Sequence, residues 1–144
     1  MKKSGKLVTG LLGLAMAAVT VLPAMALSSS LTNQVVDIPR NQVWAYGGMV
    51  SHTPSNQGAL VRCESVFPID GRFDDFQYIR CRITDYRGTV VSEETDKKIK
   101  EGTFGYESMR IREEYANVMS AIYFQFRGNS NAPAKALVSF KGNW

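Results

Sequence analysis

The sequence predicts an all-β protein: a small antiparallel two-sheet sandwich, immunoglobulin-like or jelly-roll-like, of about eight short strands. Three observations carry this reading. Apolar and polar residues alternate with period two through several short runs, as in strands buried on one face. Clusters of Gly, Pro, Asn and Ser separate those runs at regular intervals. No apolar stripe recurs with the spacing of an amphipathic helix.

The first residues stand apart from this pattern. Lys2, Lys3 and Lys6 precede an apolar run from Leu7 to Leu22, followed by Pro23 and Ala24-Met25-Ala26. A basic start, an apolar centre and small residues at a cleavage position describe a secretory signal peptide, residues 1–26, cut after Ala26. A retained membrane anchor is the competing reading, but the run is at the short end for a bilayer. No cysteine follows the cut, so neither a lipid nor a stable membrane anchor is expected, and the localisation expected is secreted and extracellular. The chain has 17 Lys+Arg and 13 Asp+Glu, and loss of the three leader lysines brings the two nearly to balance. A general nucleic-acid partner is therefore not expected, despite a whole-chain pI near 9.2.

Along the remaining chain, residues 27–33 read as a flexible polar lead and 34–144 as a single domain. Val35, Val36 and Ile38 offer a first strand that Pro39 ends. Gln42 to His52 reads as a second, with Trp44 and Tyr46 on one face, Val43 and Ala45 on the other, and a bulge at Gly47-Gly48. Thr53 to Gly58 is a turn by composition. Glu93 to Gly102 mixes acids and bases around a lone Ile99 and reads as a solvated loop or short helical turn. Met109 and Ile111 alternate with Ser108, Arg110 and Arg112. Val118 to Arg127 is a strong strand, with Val118, Ile122, Phe124 and Phe126 opposing Met119, Tyr123, Gln125 and Arg127. Gly128 to Pro133 turns the chain into Ala134 to Phe140, with Ala136, Val138 and Phe140 inward, where small residues can face Phe124 and Phe126.

The centre of the expected fold is Ala59 to Tyr86, read as two adjacent strands joined by a turn over Pro68 to Asp75. A register in which paired numbers sum to 144 sets Cys63 opposite Cys81 and Val61 opposite Ile83. Directly opposed residues of an antiparallel pair suit a cystine, so a cross-strand disulfide hairpin is expected, stabilising by about 3 kcal/mol. On its outer face Glu64 would meet Arg80, Arg62 would meet Arg82, and Val66 would meet Tyr78.

Catalytic and metal chemistry find little support. His52 is the one histidine, beside Ser51 and Thr53, and reads as a surface residue at a strand end, without a nucleophile motif around it. With the cysteines oxidised, no zinc site can be assembled. Asp70, Asp74 and Asp75 are oxygen ligands suited to calcium, but PIDGRFDDF lacks EF-hand spacing and carries Arg72 at its middle. No metal or other cofactor is expected. The arginine face is the candidate binding site: Arg62, Tyr78, Arg80 and Arg82, extended by Arg110 and Arg112 if their strand lies alongside. Guanidinium forks bind carboxylate and phosphate and stack on rings. Trp44 and Tyr46 are a second candidate as a sugar platform, with burial in the core the favoured reading. Phe73 and Trp144 are looser apolar anchors.

The expected function is a secreted, non-enzymatic binding or interaction domain whose partner is an anionic envelope polymer, a glycan or a protein. A secreted antibacterial, bacteriocin-like toxin is the first alternative, by analogy of architecture. A small secreted hydrolase is the second, and it needs a cleft of convergent polar groups that the sequence does not supply.

Overall fold

Eight strands form two four-stranded antiparallel sheets packed face to face in the computed structural model, which describes residues 26–69, 77–102 and 105–144. They are β1 (Ser30–Ile38), β2 (Ala45–Ser51), β3 (Gly58–Pro68), β4 (Tyr78–Thr84), β5 (Lys97–Lys100), β6 (Glu107–Arg110), β7 (Ala121–Gly128) and β8 (Ala134–Lys141), with a 3-10 turn at Arg40–Gln42 and a short α-helical turn, α1 (Glu113–Ala116). Sheet A has the order β1-β8-β3-β6 and sheet B the order β2-β7-β4-β5. First pairs with last throughout: β1 with β8, β2 with β7, β3 with β6, β4 with β5. From β1 to β4, each successive strand therefore changes sheet.

The alternation read from sequence sets the core. Ile122, Phe124 and Phe126 point inward from β7 and meet Ala136, Val138 and Phe140 of β8, all fully buried. The Phe124 and Phe140 rings lie 4.5 Å apart between centroids, and Phe126 and Phe140 5.9 Å. Met109 and Ile111 are buried as expected. The glycine bulge is present, with the β2 register shifting between Tyr46 and Gly48. A Cβ at Gly47 would run into the Phe126 ring, so the close approach of backbone to ring requires glycine there.

The disulfide hairpin is not formed. β3 lies in sheet A, where Cys63 is opposite Val138, and β4 lies in sheet B, where Cys81 is opposite Phe126 and Lys97. Both cysteines are buried free thiols that are not at disulfide distance. Strands in facing sheets are about 10 Å apart, whereas a cystine needs Cα atoms within about 7 Å. Period-two alternation turns both cysteines toward the core equally well whether their strands lie side by side or face to face.

β3 also departs from strict alternation. Its register against β8 shifts between Cys63 and Ser65, so Val66 turns into the core and does not meet Tyr78. The Glu101 carboxylate caps the bulge by accepting the Val66 N–H at 2.7 Å.

Other expectations change with the pairing. β1 begins at Ser30, inside the expected flexible lead, because its ladder with β8 continues through Leu31 opposite Phe140. The charge run contains β5, whose Ile99 is fully buried opposite Ile79. One inward residue suffices for a short edge strand between charged neighbours. Val118 falls in the turn before β7 and is 76% exposed. His52 is buried, not at the surface: Nδ1 faces the Gly142 carbonyl at 2.7 Å and must carry the proton, since a carbonyl only accepts. It pins the chain end to the end of β2, helped by the Thr53 N–H donating to Asn143. The signal peptide through Met25, the Asp70, Asp74 and Asp75 cluster and Phe73 lie outside the described residues.

Candidate functional site

Inward alternation of Ala45 and Val50 on β2, of Ile122, Phe124 and Phe126 on β7, and of Ile79, Cys81 and Ile83 on β4 turns the intervening residues outward on sheet B. Register then sets them in rows across three or four strands. Arg127 is opposite Arg80, which is opposite Lys98; Tyr46 is opposite Gln125, which is opposite Arg82; Met49 is opposite Tyr123, which is opposite Thr84. The result is a face of cations interleaved with aromatic rings.

Trp44, just before β2, is the pivot of this face. The Arg82 guanidinium carbon lies 4.2 Å from the centroid of its ring and that of Arg127 5.1 Å, so two cations share one indole. Such contacts contribute about 0.5–2 kcal/mol each and hold the guanidinium planes in place. Tyr78 repeats the arrangement, with Lys98 Nζ 4.0 Å and Arg80 5.2 Å from its centroid. Tyr46 and Tyr123 form a tilted pair 6.2 Å apart, with Tyr46 61% exposed. The expected burial of Trp44 and Tyr46 in the core is thus reversed: both face outward, and the smaller Ala45 packs against the interior.

The polar contacts fix the cations without neutralising them. Asp96 accepts from Arg127 through both oxygens, Nε to Oδ1 at 3.2 Å and the terminal nitrogen to Oδ2 at 2.6 Å, and pairs with Arg80 at 3.6 Å. Arg82 Nε donates to the Gln125 side chain at 2.8 Å. Burial first, and then the adjacent Arg127 charge, lower the Arg82 pKa, while Asp96 opposes the change. Arginine stays charged under physiological conditions, so the Arg82 and Arg127 charges repel one another across the face. Burial, and next Tyr123, raise the Tyr46 phenol above its ordinary value.

Of the arginine patch expected from sequence, Tyr78, Arg80 and Arg82 come together here. Arg62 does not; it lies on the opposite outer face, with its guanidinium on Glu64 at 2.7 Å and over the Tyr106 ring. Glu64 meets Arg62 and Ser139, not Arg80. Arg110 is at the β6 edge, bonded to Gln57 and 3.4 Å from Glu93, and Arg112 precedes α1. Arg127, Lys98, Gln125, Tyr123 and Asp96 were not singled out as site residues. The outward alternation of Tyr123, Gln125 and Arg127 was visible, but nothing in it showed that β4 and the Trp44 strand flank β7.

Comparison with known proteins finds no family model, no curated protein and no solved structure that matches this chain.

Proposed function

We propose that the protein is a secreted, non-enzymatic binding domain that recognises an anionic polymer, of the cell envelope or a glycan, through the outer face of sheet B. The carrying observation is Trp44 held between the Arg82 and Arg127 guanidiniums. Guanidinium forks around a ring suit a chain that alternates negative groups with sugar rings: the forks take carboxylate, sulfate or phosphate, and the aromatic faces take the rings. Secretion rests on the leader pattern of residues 1–26 alone, since the free thiols remove the cystine as a support.

The framework supports the same reading. First-with-last pairing of strands is the arrangement of a jelly roll, which we favour over an immunoglobulin-like topology for this domain. Its rigid sheet presents the face with side chains pre-positioned, which lowers the ordering cost of binding.

The test is binding of the purified protein to whole cells, polygalacturonate and polyphosphate over a range of salt, beside an Arg82→Ala/Arg127→Ala variant and an Arg62→Ala control. Salt-sensitive binding that the double variant loses and the control keeps is expected. Equal binding by all three proteins, or none, overturns the proposal. Capture of a protein while the polymers are ignored also overturns it.

A further inference from the structure

Antiparallel pairing of β4 with β7 brings the turn after β4 and the segment before β7 to the same end of sheet B, since Thr84 is opposite Tyr123. Between them lies a pocket of about 420 Å³, walled by Asp85, Tyr86 and Arg87 on one side and by Tyr115, Val118 and Tyr123 on the other. That volume is ample for one sugar residue. The turn is built to hold its shape. Asp85 Oδ1 accepts the backbone N–H groups of Arg87 and Thr89, each at 2.8 Å, and Gly88 takes a positive φ that few other residues adopt. Burial pushes the Asp85 carboxyl up, but the N–H groups of Thr89 and Arg87 outweigh it and the net shift is downward. This carboxylate serves the turn.

Arg87 is the cation at the mouth. Its Nε donates to the Tyr86 hydroxyl at 2.6 Å and its guanidinium lies 5.0 Å from that ring, while its terminal nitrogens donate to no described residue. Val118, an exposed apolar side chain, and Tyr123 line the same pocket. Tyr123 also belongs to the cationic face through its pair with Tyr46. The outward residues of β7, from Arg127 through Gln125 and Tyr123 to Ala121, thus trace a continuous track of about 20 Å from the Trp44 platform to the pocket. Cations stand at both ends, with rings between them.

Resting on the binding function proposed above, we infer that the pocket is an end-recognition subsite: it takes the terminal acidic sugar of a linear acidic oligosaccharide. The carboxylate of that sugar meets the Arg87 fork, its ring stacks between Tyr86 and Val118, and the following sugars run along β7 to Trp44. The protein therefore counts chain ends, and not only negative charge.

The experiment compares short uronic-acid oligosaccharides (oligogalacturonides) with high-molecular-weight polygalacturonate at equal uronate concentration, by calorimetry, for the unaltered protein, Arg87→Ala and Arg82→Ala/Arg127→Ala. End recognition predicts that the oligosaccharides bind at least about tenfold better per uronate, because they supply more ends. Arg87→Ala should erase that preference, while the double variant weakens both ligands alike. Equal binding per uronate, unaffected by Arg87→Ala but lost in the double variant, overturns the subsite and leaves the binding face standing. Absence of binding to either ligand overturns both, and tighter binding of a single-stranded nucleic acid or an acidic peptide overturns the glycan assignment.

Discussion

Replacing Asp96 by Asn should lower stability and raise affinity for an acidic polymer at once. The carboxylate receives a two-point fork from Arg127 and a longer contact from Arg80, while Arg80 and Arg127 are directly opposed across β4 and β7. Hydrogen bonds to charged groups contribute about 1.5–3 kcal/mol when shielded, and exposed ion pairs about 0.2–1. The side chains here are 25% to 35% exposed, between those limits. A loss of about 1–2 kcal/mol follows, or roughly 4–8 °C in the melting temperature of a domain this size. The Arg80 bond to the Asp96 backbone carbonyl at 3.2 Å survives the change and limits the loss. In the binding proposed here, Asp96 would compete with an acidic ligand for the two arginines; removing it should free about 0.5–1 kcal/mol of attraction, roughly two- to fivefold in affinity. Circular dichroism melts and titration with polygalacturonate measure the two effects. A destabilised variant that binds more weakly would refute the reasoning, since the ligand would then need Asp96 instead of competing with it.

Three further outcomes follow from the packing and the ionisable groups. Burial, followed by the Glu101 and Glu64 charges, pushes the Cys63 thiol up to about 12, and burial raises Cys81 strongly as well. Neither should react with a thiol reagent at pH 8 in the native protein, and both should react in denaturant without reductant; silence in denaturant would restore the disulfide. Thr84 Oγ1 is buried without a partner among the described residues, so Thr84→Val should raise stability by about 1 kcal/mol in urea unfolding, and a loss of that size would mean the hydroxyl is satisfied. The hydroxyl of Ser139 and then the Arg62 guanidinium hold the Glu64 carboxyl below its ordinary pKa, so its contribution is present above the unfolded value and fades as pH falls through the folded one. Glu64→Gln should therefore flatten the acid limb of the stability profile, and an unchanged limb would place the acid sensitivity elsewhere.

What the sequence carried was the face of each strand, and what it lacked was the neighbour. Phe124, Phe126, Val138 and Phe140 were legible as core because inward alternation follows from the pleat itself. Cys63 and Cys81 were equally legible as inward, yet a shared orientation says nothing about whether two strands pair or oppose across a sandwich. That ambiguity carried the arginines with it. Arg80 and Arg82 kept their company with Tyr78, being on one strand, whereas Arg62 went to the other side of the molecule. Trp44 and Tyr46 were correctly set on one face, but with apolar residues on both sides of that strand the choice between core and surface depended on β7 supplying its own phenylalanines. Ile99 was hidden by the charges around it: one buried side chain leaves no period to read.

The most direct test uses the two tryptophans of the chain. In a Trp144→Phe variant the remaining indole is Trp44, and its fluorescence reports the centre of the proposed face. Titration with polygalacturonate should change that emission saturably, and about 1 M salt should reverse the change. Binding detected by sedimentation with Trp44 emission unaltered would place the anion elsewhere on the protein and contradict the account.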